Sequence, residues 1–206
     1  MKKKFALLLC CGFLALSSQA QNFGGGVILG FSTSQVGGDN LAGFNKAGLL
    51  IGAYGNKSIS ELLSFQMEMT FIQKGSNNPK MNNVEHVNSG VPDISSSYFE
   101  IPLLLQYQQS EVLKIEGGIL SALLIDGFYN DINGKLGNVN SPFIKYDFGI
   151  LLGIDYNYSE KISLNTRISN SISPIGAEDY KENQNYNSSL KGKYNSVLSF
   201  AIHYNL

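Results

Sequence analysis

Residues 96–108 read SSYFEIPLLLQYQ, and within them Phe99, Ile101, Leu103, Leu105 and Tyr107 alternate with Tyr98, Glu100, Pro102 and Gln106. Alternation at period two marks a strand with two unlike faces. A strand in a water-soluble core has no use for a glutamate and a proline on its other face. If the apolar face meets lipid instead, Glu100 turns inward among polar groups. Pro102 cannot donate to a strand ladder and argues against a central strand, so a bulge or local bend with one missing backbone hydrogen bond is expected there.

The same alternation recurs along the chain. In residues 144–158, IKYDFGILLGIDYNY, the even positions are Ile144, Tyr146, Phe148, Ile150, Leu152, Ile154, Tyr156 and Tyr158; Lys145, Asp147, Gly149, Leu151, Gly153, Asp155 and Asn157 fall between them. Residues 63–74 set Leu63, Phe65, Met67, Met69 and Phe71 against Ser64, Gln66, Glu68 and Thr70. Residues 194–206 set Leu198, Phe200, Ile202, Tyr204 and Leu206 against Asn195, Ser199, His203 and Asn205. Weaker strands are expected at 25–33, 47–54, 113–125 and 162–172, which with 96–108 makes eight.

Their connections alternate in length: long at 34–45, 75–97, 126–142 and 173–193, short at 55–61, 108–112 and 157–161. The long ones are rich in Asn, Gly, Ser and Lys, as solvated loops are. This is the plan of an all-β, eight-stranded antiparallel up-and-down transmembrane β-barrel, with short periplasmic turns, four longer extracellular loops and both termini periplasmic. Tyr146 and Tyr156 lie ten residues apart on one apolar face, as do Tyr194 and Tyr204 on another. Ten residues at ~3.3 Å rise and ~40° tilt span about 25 Å, the spacing of the two aromatic girdles of an outer-membrane barrel.

Residues 1–20, MKKKFALLLCCGFLALSSQA, have the layout of a cleaved secretory signal: basic Lys2, Lys3 and Lys4, an apolar run over 5–16, and Ser18-Gln19-Ala20 before the cut. An apolar run of about twelve residues is short of the roughly twenty that a spanning helix needs. The lipoprotein alternative at Cys10 or Cys11 lacks the small preceding residue such signals carry. The mature domain, 21–206, then contains no cysteine, so no disulfide holds the fold. The chain carries 15 basic and 16 acidic residues; without the three leader lysines the balance is 12 against 16, about −4, which offers no basic field to nucleic acid.

YFEIPLLLQY at 98–107, QKG at 73–75, the glycine-led first two strands and GGIL at 117–120 together resemble the PorT-like outer-membrane β-barrel proteins of the Bacteroidota, across residues 21–206. Leu206 departs from the aromatic with which barrel chains often end. The resemblance implies a barrel in the outer membrane of a Gram-negative cell envelope, in contact with outer-membrane lipid and with envelope or secretion-complex proteins as possible partners. It implies no single activity and leaves the extracellular ligand unidentified.

The inward set comprises Glu68, Glu100, Lys114, Glu116, Lys145, Asp147, Asp155, Arg167 and His203. Eight strands enclose a lumen just wide enough for side chains to fill, so these charges are expected to pair as a structural plug, in preference to a proton path, ion path or catalytic cluster. Arg167, the interior's only arginine, is expected to be the shared counter-charge of Glu68, Glu100 and Glu116. His86 and His203 are the only histidines and form no metal pair; no serine sits in a G-x-S-x-G elbow. Asp131-Ile132-Asn133-Gly134 lacks the spacing and terminal glutamate of a calcium loop, and Gly24 to Gly26 is followed by no helix that would make it a phosphate loop. No cofactor or catalytic residue is therefore expected. The favoured reading is a non-enzymatic barrel with a structural, binding or envelope-complex role. Two alternatives stand beside it: an outer-membrane barrel enzyme, and a soluble exported lipocalin-like barrel with its apolar face turned inward.

Overall fold

A computed structural model describes residues 23–39, 41, 43–78, 93–131, 134–135, 143–176 and 193–206. The expected leader at 1–20, most of the long connections, and His86 lie outside the described residues. Those described form nine strands and no helix: β1 Phe23–Gly37, β2 Lys46–Ser58, β3 Leu63–Ser76, β4 Asp93–Gln108, β5 Leu113–Asp131, β6 Gly134–Lys135, β7 Tyr146–Asn157, β8 Ile162–Ser171 and β9 Tyr194–Asn205. All neighbours pair antiparallel, in the order β4-β3-β2-β1-β9-β8-β7-β5, and a β4–β5 ladder closes the ring. Eight strands make the wall; β6 is a two-residue appendage of β5.

The register fixes the shape. One circuit runs Gly25–Gly55–Met67–Leu103–Ile119–Ile150–Asn170–Ser196 and returns to β1 at Gln35, a shear of ten residues (35 − 25). Ten steps of ~3.3 Å against eight strand spacings of ~4.8 Å give a tilt of about 40°. The wall is thus that of a narrow, strongly inclined barrel.

Alternation sorts the residues as the sequence implies. Leu29, Phe31, Ile51, Met69, Leu105, Ile119, Phe148, Ile150, Leu152, Ile154 and Ile202 are exposed on the outside, while Gln66, Glu68, Glu100, Glu116, Asp147, Asp155 and Arg167 are buried inside. Apolar outside and polar inside is the reverse of a lipocalin, which overturns the soluble-barrel alternative. Ile28, Leu50, Ile72, Leu104, Leu120, Leu151 and Val197 pack between the inward charges. A second apolar cluster, Val36, Ile94, Tyr129, Phe143 and Ile175, sits at the long-connection end.

Two local expectations are corrected. There is no bulge at Pro102. It stays paired with Leu120 of β5, and on the β3 side the ladder carries Met67–Leu103 and Thr70–Glu100 in one register with the intervening pairs missing. Proline's fixed φ suits a strand, and only its absent N–H is felt. The bulge lies instead between Ser97 and Tyr98, where Ser97 faces Asp126 and Tyr98 faces Leu124, leaving Ile125 as the extra residue. An extra residue reverses the phase of a strand. Leu120 and Ala122 are buried below it, Gly127 and Tyr129 above it. This is why the alternation read from the sequence stopped at Ile125, although β5 continues to Asp131 and β6 follows inside the connection expected at 126–142.

Candidate functional site

The lumen holds the clustered chemistry, and it is organised in layers. Nearest the short turns, Asp155 and His203 approach within 3.3 Å (Oδ2 to Nδ1), and the Tyr54 ring lies 5.3 Å from the imidazole. The Tyr54 hydroxyl donates to Asn205.

In the layer above, Arg167 of β8 reaches two strands at once. Its Nη1 and Nη2 donate to Glu68 Oε2 and Oε1, each at 2.7 Å, and its Nε donates to Glu116. This fork geometry is what a guanidinium offers and an ammonium does not. The neighbouring amides complete the shell. Gln66 donates to Glu68 at 2.6 Å, Gln106 to Glu116 at 3.0 Å, and Asn165 to Glu116 at 2.8 Å and to Asp155 at 3.2 Å. Gly153 makes this reach possible. It is the ladder partner of Glu116 on one side and of Arg167 on the other. A Cβ there would lie 2.6 Å from Arg167 Cγ and 2.8 Å from Glu116 Oε1. Gly153 thus leaves the volume in which Arg167 crosses to Glu116.

Toward the long connections, Lys74 forms an ion pair with Glu100 and stands 3.8 Å from Asp147 Oδ2, its Nζ 4.9 Å from the centre of the Tyr98 ring. Asp147 Oδ2 also accepts from Ser171 at 2.8 Å and Asn195 at 3.0 Å. Between this cluster and the arginine cluster lies a cavity of about 30 Å³, bordered by Glu68, Thr70, Glu100, Pro102 and Arg167 among others. Both residues that set 96–108 apart from a core strand therefore face one internal space.

Of the nine inward residues expected from the sequence, seven are buried in the lumen: Glu68, Glu100, Glu116, Asp147, Asp155, Arg167 and His203. Lys114 is half-buried at the short-turn mouth, in register with Asp155. Lys145 is a correction: it is exposed, because β7 begins only at Tyr146 and the chain before it follows the Phe143–Gly176 bridge, so strand parity does not extend to it. The expected shared counter-charge is also revised. Arg167 serves Glu68 and Glu116, whereas Glu100 belongs to Lys74. Lys74 was missed although carrying the inward face of 63–74 two steps beyond Thr70, through Ile72, arrives at it. Lys193, expected in a long connection, is buried with its Nζ 3.5 Å from the Tyr129 hydroxyl. On the outside, Tyr146 and Tyr156 are exposed at opposite ends of β7, as are Tyr194 and Tyr204 at opposite ends of β9. Among the described residues no group of three or more His, Cys, Asp or Glu is placed to hold a metal ion.

A closed eight-stranded ring, apolar without and charged within, is a transmembrane β-barrel of the outer-membrane class. Residues 19–176, more than half of the chain, match the family described as "Outer membrane protein beta-barrel domain", and the chain belongs to that family. Among solved structures it is similar to Ail, the attachment invasion locus protein of Yersinia pestis, with 10% identity, 90% of this chain and 100% of that chain covered, and a TM-score of 0.52. A second structure of Ail, in complex with the heparin analogue sucrose octasulfate, matches over the same shares with 9% identity and a TM-score of 0.51. Neisserial surface protein A matches with 14% identity over 89% of this chain and 97% of that chain, at a TM-score of 0.48. No curated protein matches. At these identities the likeness to Ail concerns the fold alone.

Proposed function

We propose that the chain is a PorT-like, non-enzymatic barrel of the outer membrane whose lumen is a structural plug and whose long loops or outer wall engage envelope proteins, those of a secretion complex included, or an extracellular ligand. In this reading residues 1–20 are removed on export, 21–206 form the barrel, the short turns and both termini face the periplasm, and the four long connections face outward. Tyr146, Tyr156, Tyr194 and Tyr204 lie at the two lipid–water interfaces, where amphipathic rings are favoured. Glu68, Glu100, Lys114, Glu116, Asp147, Asp155, Arg167 and His203 constitute the plug, with Lys145 outside it.

The observation that carries this reading is how the inward carboxylates are engaged: each of the five has a basic side chain within 4 Å, and Glu116, Glu68, Asp147 and Asp155 also accept from amides. Groups tied up in this way support packing in preference to turnover, which leaves the loops and outer wall for partners. The test is fractionation together with isolation of the intact barrel under mild detergent. The protein is expected in the membrane pellet after alkaline carbonate washing, with different gel mobilities before and after heating, and in a complex larger than itself. Recovery in the soluble periplasmic fraction would sink the barrel reading; a lone, heat-modifiable barrel would refute the envelope-complex role.

A further inference from the structure

The apolar surface does not keep one level around the wall. Each cross-strand step from β1 through β5 to β9 climbs the barrel axis, because one circuit advances ten residues. At a tilt of about 40° the climb is ~2.5 Å per residue along a strand and ~3 Å per step round the ring. With Tyr156 as zero, Tyr146 of the same strand stands about 25 Å up, the height of an apolar band. Phe148 below it is exposed, as is Leu123 of β5, the ladder partner of Tyr146, at about 22 Å. On β1, which faces β5 across the ring, the exposed apolar residues end at Phe31, only about 14 Å up. Thr33 follows at about 19 Å, and Ser196 of β9 and Gln73 of β3 each stand at about 21 Å. These three turn outward: Gln73 is exposed, and Ser196 donates to Asn170 at 2.7 Å on the outer surface.

At the short-turn end the displacement has the same sense. Phe23 of β1 is exposed about 6 Å below Tyr156. The β2–β3 turn beside it carries exposed Ile59 and Leu62, whereas the matching positions of the β7–β8 turn hold Tyr158 and Lys161. Lys57 lies on the same low side with its Nζ 5.0 Å from the centre of the Phe23 ring, as a lysine does when its stem lies along apolar surface and its head reaches water. A locally thin bilayer would draw both borders of the β1 side inward. Instead the stretch from Phe23 to Phe31 keeps about 20 Å of height and is displaced as a whole.

We propose that the barrel lies inclined in the outer membrane by about 15–25°, its β1–β2 wall lowered toward the short-turn side, so that Thr33, Ser196 and Gln73 meet lipid headgroups and water instead of acyl chains. The angle follows from offsets of about 11 Å at the upper border and 6 Å at the lower, across a width of roughly 25 Å with side chains. The three side chains are uncharged donors and acceptors, which acyl chains leave unpaired and headgroups and water satisfy. The inclination rests on the outer-membrane reading above and adds to it an orientation and a polar strip of the wall that belongs to the headgroup layer.

The test is a depth measurement on the barrel isolated from membranes and reconstituted in phospholipid vesicles. The chain's two cysteines, Cys10 and Cys11, lie in the expected leader, so a nitroxide can be attached at one introduced cysteine at a time. Its collisions with oxygen, which concentrates in lipid, are compared with its collisions with a water-soluble nickel chelate. Leu113 of β5 is the ladder partner of Tyr156 and supplies the lower reference. In an upright barrel Leu123→Cys lies about 3 Å nearer water than Thr33→Cys, and Phe23→Cys about 3 Å nearer water than Leu113→Cys. An inclination of about 20° reverses both orders, to about 6 Å in the opposite sense, and this reversal is the expected result. Ser196→Cys replaces Thr33→Cys should that variant not fold, and is likewise expected nearer water than Leu123→Cys. The upright order at both pairs would overturn the proposal, and reversal at the Thr33 pair alone would overturn it in favour of a thinned bilayer. A label at Thr33 hidden from both reagents would mean that a second copy or another protein covers the strip, which equally overturns the headgroup assignment. Nickel contact without oxygen contact at all four sites would refute membrane insertion itself.

Discussion

Replacing Arg167 with methionine tests the central cluster most directly. Methionine keeps much of the aliphatic stem while deleting three charge-assisted donors, two to Glu68 at 2.7 Å and one to Glu116. Hydrogen bonds to charged groups are worth about 1.5–3 kcal/mol each, but groups sharing one cation are not additive. The better guide is removal of one member of a buried pair, about 3–5 kcal/mol. With two carboxylates stranded, the upper part of that range is expected. The remaining contacts of each acid predict how the loss is recovered. Glu116 still accepts from Gln106 and Asn165, whereas Glu68 keeps only Gln66 among the described hydrogen bonds. Glu68→Gln should therefore rescue Arg167→Met more than Glu116→Gln does. Glu100→Gln should couple by less than about 0.5 kcal/mol, as independent sites do, because its counter-charge is Lys74. The chain has no tryptophan, so urea unfolding of the barrel in lipid vesicles is best followed by far-ultraviolet circular dichroism and by gel mobility with and without heating. Coupling of Glu100→Gln as strong as that of Glu68→Gln, or no coupling for any acid, would refute the assignment of partners.

Two further substitutions probe the wall. Ile150 is half exposed in the middle of β7, and Tyr158 is exposed in the turn that follows it, so Ile150→Arg should cost about 2–4 kcal/mol and Tyr158→Arg roughly 0–1. Equal penalties in vesicle unfolding would mean that the apolar band is wrongly placed. Gly153→Ala should cost about 1–3 kcal/mol by overpacking, because the new methyl enters the contact between Arg167 and Glu116; denaturant titration that leaves the variant at wild-type stability would show that the cluster yields freely there.

The fold was legible because a barrel wall repeats its lesson. Period-two alternation sorts residues between lipid and lumen strand by strand, and in β7 it assigned every residue from Tyr146 to Asn157 to its face before any partner was known. It fails where the period itself is interrupted. Ile125 inserts one residue and inverts the phase above it, while Lys145 lies outside the strand whose parity it was assigned. Pro102 misled in the opposite way. A proline signals a lost donor, and the sequence does not say whether the chain answers with a bulge or merely with a gap in one ladder.

Pairing within the lumen was out of reach for a different reason. Which inward residues share a level depends on the cumulative register around the ring, and every circuit advances ten residues. Glu68 and Arg167 are 99 residues apart in the chain and meet only because of that shear. A different register between any two neighbouring strands would have moved Arg167 relative to Glu68, or Lys74 relative to Glu100, without altering the alternation that sorts their faces. The two ion clusters are thus products of closure. The same closure brings Glu100, Pro102 and Thr70 of one wall opposite Arg167, Ser169 and Ser199 of another. The feature that made 96–108 unlike a core strand, a glutamate and a proline on one face, becomes intelligible only once that second wall is in place, because together the walls enclose a space that neither strand contains by itself.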